Sequence, residues 1–319
     1  MENFRLRVFR AVAQHLNFRV ASEELLLTQP AVTQQIKTLE AELGTPLFDR
    51  SGGRVALTPA GLALVPYAEQ LRRLSQEARE AVAAAVGTTA GELAIGASQT
   101  IGQYLLPRLL AAFLAENPRV QLHVTGGNTQ TVLEDLRARR IQVALIEGPV
   151  LGHDLRVAPF MEDHLVCVVS AHHEFADRQV TLEQLKQVTL LTREQGSGSR
   201  KVLEQAFEEA GLSLRELHLG LTFDSTEGLL SAVEAGLGVA FVSRWAVRNQ
   251  LALGTLKIAR VRQLKLSRMF SLATAAGPEP TGTVGAFWRL VLDRAESLTP
   301  RATGRGQLDR DPAGDNRAQ

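Results

Sequence analysis

The chain has 319 residues, enough for two or three domains at roughly 100–200 residues each. It is 45% hydrophobic and 22% charged with a net charge of +1, and residues 1–60 carry seven Lys/Arg against six Asp/Glu, so a nucleic-acid role can rest only on local motif geometry. No stretch reaches about 18 uninterrupted apolar residues, the first twenty residues are charged throughout, and Cys167 is the single cysteine. These features exclude a transmembrane helix, a secretory leader and an intrachain disulfide, and point to a cytoplasmic protein with no membrane partner.

In chain order, residues 3–16 predict a helix, with Phe9, Val12, Ala13 and Leu16 at helical spacing. A second short helix covers about 18–25. Thr28 then offers an N-cap, Pro30 falls in the first turn, and a third helix runs on Val32, Ile36, Leu39 and Leu43 to a stop at Gly44. The runs 47–50 and 54–57 flank Ser51-Gly52-Gly53 and predict a hairpin wing. Thr58-Pro59 opens a long helix to about Val86, with Leu64, Ala68, Leu71, Ser75, Ala78, Val82 and Ala85 as a heptad-like dimer seam. Pro66 lies inside it and should kink it or cost about 3 kcal/mol. Residues 87–91 predict a hinge. Beyond it, strands at 92–97, 120–125, 142–147, 164–170, 188–192, 217–222 and 238–242 alternate with helices at 102–115, 129–139, 199–210 and 226–235, the pattern of an open, mostly parallel α/β sheet, or two. A last helix covers about 282–297, and the polar, aperiodic residues 299–319 predict a disordered tail. Cys167, in an apolar run, reads as a buried filler of a strand.

The third helix carries the clearest functional pattern. With Val32, Ile36 and Leu39 turned inward, the opposite face presents Gln29, Thr33, Gln34 and Lys37, with Glu40 and Glu42 just beyond. Amides and hydroxyls read base edges in the major groove, and Lys37 can meet a phosphate or a guanine. Arg50 and Arg54 bracket the wing, within reach of flanking phosphates. A solvated face on an ordinary helical domain is the plain alternative.

The segment FRAVAQHLNFRVASEELLLTQPAVTQQIKTLEAELGTPLFDR at 9–50, followed by LTPAG at 57–61, closely resembles the N-terminal signature of the LysR-type transcriptional regulators. The resemblance extends over residues 1–298. It implies a winged helix-turn-helix, a dimerising linker helix, and a periplasmic-binding-protein-like effector domain of two Rossmann-like α/β lobes. It implies base contacts from Gln29, Pro30, Ala31, Thr33 and Gln34 and backbone contacts from Lys37, Arg50 and Arg54. It also implies a homodimer and homotetramer on promoter DNA, with RNA polymerase as a further partner. The expected division is 1–58 for the DNA-binding domain, 59–90 for linker helix and hinge, and 91–298 for the effector domain. Within the last, lobe I is about 91–162 and 267–298, and lobe II about 163–266. The stretches at 97–113, 147–149, 193–200 and 224–241 resemble the subgroup that regulates carbon fixation and sulfur assimilation. Gly228 stands where that subgroup often has Ala, loosening a helix start, and Gln195 where Pro is common, loosening the 194–199 loop.

Ligands of open α/β sheets bind beyond the carboxyl ends of parallel strands. Three strand-to-helix junctions share a composition there: Ser98-Gln99-Thr100, Gly196-Ser197-Gly198-Ser199 and Asp224-Ser225-Thr226. Converging, their amides and hydroxyls would hold a small anion, by resemblance a sulfur oxyanion or a sugar phosphate. Ser98, Gln99, Thr100, Ser197, Ser199 and Thr226 are the expected ligands, joined by Arg200 if it turns inward. Glu147, at the same rim, either orients a donor or pairs with Arg200. Each junction taken singly reads equally as an N-cap. Lobe closure would hinge near 162–164 and 265–268.

No cofactor or metal motif is found. Residues 196–201 lack the Gly-Lys-Ser/Thr ending of a phosphate loop, there is no Gly-x-Ser-x-Gly elbow, and His164, His172 and His173 lack metal-ligand spacing. A ligand-responsive DNA-binding regulator is therefore the leading reading. A transport-type solute-binding protein and an α/β enzyme are the alternatives, the first opposed by the N-terminal motif and the second by the lack of a nucleophile–base pair.

Overall fold

A computed structural model describes residues 3–51, 54–85, 89–150, 153–213, 216–264 and 266–298. The expected tail, the wing tip at 52–53 and the first two residues of the expected hinge, 87–88, lie outside the described residues.

Capping chemistry delimits the first three helices. Asn3 caps α1 (Phe4–His15) by accepting from the Arg5 N–H, and Asn17 caps α2 (Phe18–Leu25) by accepting from Arg19 and Val20. Thr28 caps α3 (Gln29–Leu43), which ends at Gly44 with φ +68°. Their inner faces enclose Val8, Phe9, Val12, Ala21, Val32, Ile36 and Leu39. Strand β1 (Phe48–Asp49) adds Phe48 to this core and pairs antiparallel with β2 (Ala56–Leu57) to make the wing.

The physical content of the LTPAG segment is visible at the wing's base. The Thr58 hydroxyl accepts from the Gly61 N–H at 3.0 Å and donates to the Pro46 carbonyl at 2.8 Å. A Cβ on Gly61 would lie 2.2 Å from the Leu47 carbonyl oxygen, so only glycine fits. Helix α4 (Pro59–Ala85) starts here and runs unbroken through Pro66. Ala68 is buried against the winged core, while Leu62, Leu71, Leu74 and Val82 are 49–67% exposed.

The rest of the chain is two α/β lobes sharing one sheet. The elements are β3 (Gly91–Ser98), α5 (Gln99–Tyr104), α6 (Leu106–Glu116), β4 (Val120–Gly127), α7 (Thr129–Arg137), β5 (Val143–Glu147), β6 (Leu155–Ser170), β7 (Gln179–Val180), α8 (Leu182–Leu185), β8 (Leu190–Arg193), α9 (Gly198–Glu209), β9 (Leu219–Phe223), α10 (Thr226–Glu234), β10 (Val239–Ser243), α11 (Arg248–Leu253), β11 (Leu256–Val261), β12 (Ser267–Ala275) and α12 (Gly282–Leu298). The sheet order is β4-β3-β5-β12-β6-β10-β8-β9, with β11 paired to β6. Strands β3, β4 and β5 are mutually parallel, as are β9, β8 and β10, and the antiparallel β6 and β12 join the two sets. The first part of β6 pairs with β12 up to His164 opposite Ser267, and from Leu165 it pairs with β10. The chain therefore passes between lobes beside Asp163 and Arg268.

Two sequence expectations change. The strand expected at 164–170 begins at Leu155. Pro159 hides its first half, and a register shift at Phe270/Ser271 leaves Phe160 as the extra residue of a bulge that accommodates the proline. The helix expected at 102–115 is two helices, divided at Leu105, with Pro107 in the first turn of α6. Strand β12 was not anticipated. Phe113, Phe287, Leu93 and Ile95 fill one face of the first lobe, and Phe207, Phe241, Leu203 and Val239 one face of the second. Cys167 is buried, and burial pushes its thiol up to about 12, which leaves it unreactive.

Gly228 sits in the first turn of α10, where an added Cβ would meet Phe223 at an ordinary 3.5 Å. Gly228→Ala should therefore raise stability by about 0.5–1 kcal/mol through reduced chain entropy. Urea unfolding checks this, and an unchanged or lower midpoint would contradict it.

Candidate functional site

On the N-terminal unit, Gln29, Pro30, Gln34 and Lys37 are exposed along α3, and Ala31 and Thr33 are half-buried beside them. The wing stands next to this face. The Arg50 guanidinium lies 4.4 Å from the Phe18 ring centroid and 3.8 Å from a Glu40 carboxylate oxygen. Arg50, Arg54, Arg19, Gln29 and Thr33 line one concave surface of about 610 Å³. Arg19 escaped sequence reasoning, since nothing in the chain order places the start of α2 against the wing. Glu40 is not the acidic edge of the reading face. Its carboxylate accepts from the Leu47 N–H at 2.8 Å and the Phe48 N–H at 3.3 Å, tying α3 to the wing.

In the two-lobed unit the three junctions converge. Gln99 accepts from the Thr226 N–H at 3.1 Å and donates to the Asp224 carbonyl. Tyr104 donates to Glu227 across the same seam. The Gln130 N–H donates to the Gly196 carbonyl at 3.2 Å, and the Asn128 amide to Glu194 at 3.1 Å. The 194–199 loop, expected to be loose because of Gln195, is thus tied to α7. A Cβ on Gly198 would fall 2.2 Å from the Glu147 carbonyl oxygen, so α9 abuts the end of β5.

Of the three serines at the N-cap positions of these junctions, only one proves to be a cap. Ser225 accepts from the Gly228 N–H. Ser98 and Ser197 occupy N-cap positions without capping, are 0% and 3% exposed, and their hydroxyls have no partner among the described residues. Buried hydroxyls without partners are rare and call for a ligand or water.

Between Thr100 and Ser199 lies Arg268, which sequence reasoning missed. It donates to Asp163 at 2.8 Å, Ser199 at 2.9 Å and Thr100 at 3.4 Å, and lies 2.5 Å from a Glu147 carboxylate oxygen. Its side chain is 1% exposed, and those of Glu147 and Asp163 are 3% and 1%. Burial pushes the Asp163 carboxyl above the usual range, opposed by Arg268 and by a 2.7 Å bond from Ser243. Arg193, also missed and equally buried, donates to Thr226 at 2.8 Å and to Glu194 at 2.8 Å.

Arg200 does not turn inward. Its Nε donates to Glu204 at 2.7 Å, one helical turn away, and its Nη1 to the Arg193 carbonyl at 3.0 Å. The expected alternative pairing of Glu147 with Arg200 is replaced by Glu147 with Arg268. A cavity of about 470 Å³ opens between α7 and α9, lined by Glu147, Ser197, Arg200, Lys201, Gln130 and Arg137 among others. Ser98, Gln99, Thr100, Ser199 and Thr226 lie outside its lining.

Removing Arg268 would leave two buried carboxylates uncompensated. Arg268→Met should cost about 3–5 kcal/mol in urea unfolding near neutral pH. The stranded carboxyls would hold protons more tightly folded than unfolded, so the deficit should shrink as pH falls. A loss below about 1 kcal/mol would show that the cluster does not hold the lobes.

Residues 4–62 match the family described as "Bacterial regulatory helix-turn-helix protein, lysR family", and residues 87–296 match the "LysR substrate binding domain". A probable RuBisCO transcriptional regulator of Thalassiosira pseudonana is 32% identical over 275 residues, covering 84% of this chain and 90% of its own. The HTH-type transcriptional regulator CysL of Bacillus subtilis is 35% identical over 267 residues, covering 83% of this chain and 88% of its own. A full-length OxyR variant from Pseudomonas aeruginosa has a similar structure, with TM-score 0.65 at 25% identity over 97% of this chain and 98% of that one.

Proposed function

This chain belongs to the LysR family of DNA-binding transcriptional regulators, whose members pair a helix-turn-helix with an effector-binding domain, and we propose that it reads promoter DNA with α3 under the control of a compact anionic metabolite. The single observation that carries the DNA reading is the exposed row Gln29, Gln34 and Lys37 beside a concavity lined by Arg19, Arg50 and Arg54. In this reading Gln29, Pro30, Ala31, Thr33 and Gln34 meet base edges, while Lys37, Arg50 and Arg54 meet phosphates. The transport-type alternative is set aside, because the helix-turn-helix is part of the family match, and the family is one of regulators rather than enzymes.

The effector reading rests on the two partnerless hydroxyls of Ser98 and Ser197 and on the buried Arg268, which bonds Thr100 and Ser199 two residues further along each junction. Thr100, Ser199, Gln99 and Thr226 are the remaining internal ligands, and Arg200 belongs to the outer rim. The exposed apolar side of α4, at Tyr67, Leu71, Leu74 and Val82, supports pairing of two chains there, and a dimer of such dimers is the working assembly. No helix among the described residues is long and apolar enough to cross a membrane, and a DNA-binding role is served in the cytoplasm. The division at 58, 90 and 298 follows the same reading.

Footprinting on an upstream fragment tests the DNA assignment. Gln34→Ala should lose about 1–3 kcal/mol of discrimination at one base pair while leaving the oligomer intact. Full selectivity in the variant would refute the contact. Arg50→Ala should instead weaken binding to all sequences alike and lower the salt slope by about one unit. An unchanged slope would mean that Arg50, stacked on Phe18, stays off the backbone.

A further inference from the structure

Among the described residues, Glu147 is the one charged side chain that both lines the α7/α9 cavity and touches Arg268. Asp163, the other carboxylate on Arg268, is held by Ser243 as well and does not line the cavity. One guanidinium faces two carboxylates, so the cluster carries a surplus negative charge, and Glu147 is the partner with a way out. Buried charge without full compensation is costly, so Glu147 is held less firmly than in a one-to-one pair and can yield its place to another anion.

The cavity is built to deliver that anion. At its rim Arg137 pairs with Asp154 and Arg200 with Glu204, while Lys201 has no ion pair among the described residues. Ser197 lines the same cavity at the head of the twelve-residue α9, 3% exposed, with its hydroxyl partnerless. A helix N-terminus and a waiting hydroxyl next to a displaceable carboxylate define a place for a compact tetrahedral oxyanion.

Resting on the reading of this cleft as an anion site, we infer that Glu147 is a built-in competitor for the effector: it occupies Arg268 in the free protein, and an oxyanion arriving between α7 and α9 takes its place on Arg268 and Ser197. Glu147, not Arg200, then sets the affinity threshold. Its carboxylate swings toward the cavity, away from Arg268. Selectivity for doubly charged oxyanions over neutral analogues follows, since only an anion can replace a carboxylate on the guanidinium.

The test is calorimetry on the full chain with inorganic phosphate and sulfate as probes. Glu147→Gln keeps the shape and removes the competing charge, so both probes should bind on the order of tenfold tighter. Arg268→Lys, which lacks the planar fork, should bind neither. Tightening in Glu147→Gln supports the inference whether or not the unchanged protein binds measurably. Unchanged or weaker binding by folded Glu147→Gln overturns it and leaves the anion reading standing. No binding by either protein at millimolar probe overturns both. Arg268→Lys binding as well as the unchanged protein overturns it too. Should Glu147→Gln fail to fold, Glu147→Ala decides on the same terms, with tighter phosphate and sulfate binding expected and unchanged or weaker binding overturning the inference.

Discussion

The arrangement of the two lobes depends on one buried guanidinium. Arg268 sits on β12 at the point where the shared sheet passes from one lobe to the other, and its contacts span Thr100 and Glu147 on one side, Asp163 at the crossing, and Ser199 on the other. An arginine with 1% of its side chain exposed must satisfy its donors internally, so these groups have to meet. Closing the lobes is the geometry that brings them together. The same constraint explains why Gly198 presses against the end of β5 with no room for a Cβ.

A sensor of this kind acts only through states that its ligand distinguishes. The ionic cluster of Arg268 lies at the lobe seam, while the helix-turn-helix lies beyond α4. A physical path between them exists in contacts. Arg10 of α1 pairs with Glu69 of α4 at 2.8 Å, Glu69 also meets Arg72, and Arg73 donates to the Arg139 carbonyl of the first lobe. Arg10 and Arg72 hold the Glu69 carboxyl below its usual range against burial. The linker helix therefore holds ionic and hydrogen bonds to both units, so a shift of the first lobe has something to pull on.

The N-terminal unit shows the opposite balance, with local chemistry dominating. Its helices are short and each is stopped or started by a side chain a few residues away. Tertiary structure adds the tie from Glu40 to the Leu47 and Phe48 amides and the stacking of Arg50 on Phe18. These two contacts fix the wing relative to α3, which turns an exposed polar helix face and an arginine-bearing hairpin into a single surface.

What the sequence determined by itself is what short-range physics controls. Thr28 as a cap, Gly44 as a stop, Thr58-Pro59 as a helix start and the alternation of strands and helices all act within a few residues, so the winged unit and most of the α/β elements were legible. The three Ser/Thr junctions were legible as a group because they recur at equivalent ends. Tertiary structure alone decided which junction serines are caps and which stand without partners. It also decided that Arg268 and Arg193 are the buried cations of the cleft. Strand β12 and the start of β6 were hidden for the same reason, since a bulge opposite Pro159 has meaning only once the partner strand is in place. Long charged side chains choose partners after the chain has closed: Arg268 bonds residues 69 and 168 positions away. No local pattern encodes a partner at that separation.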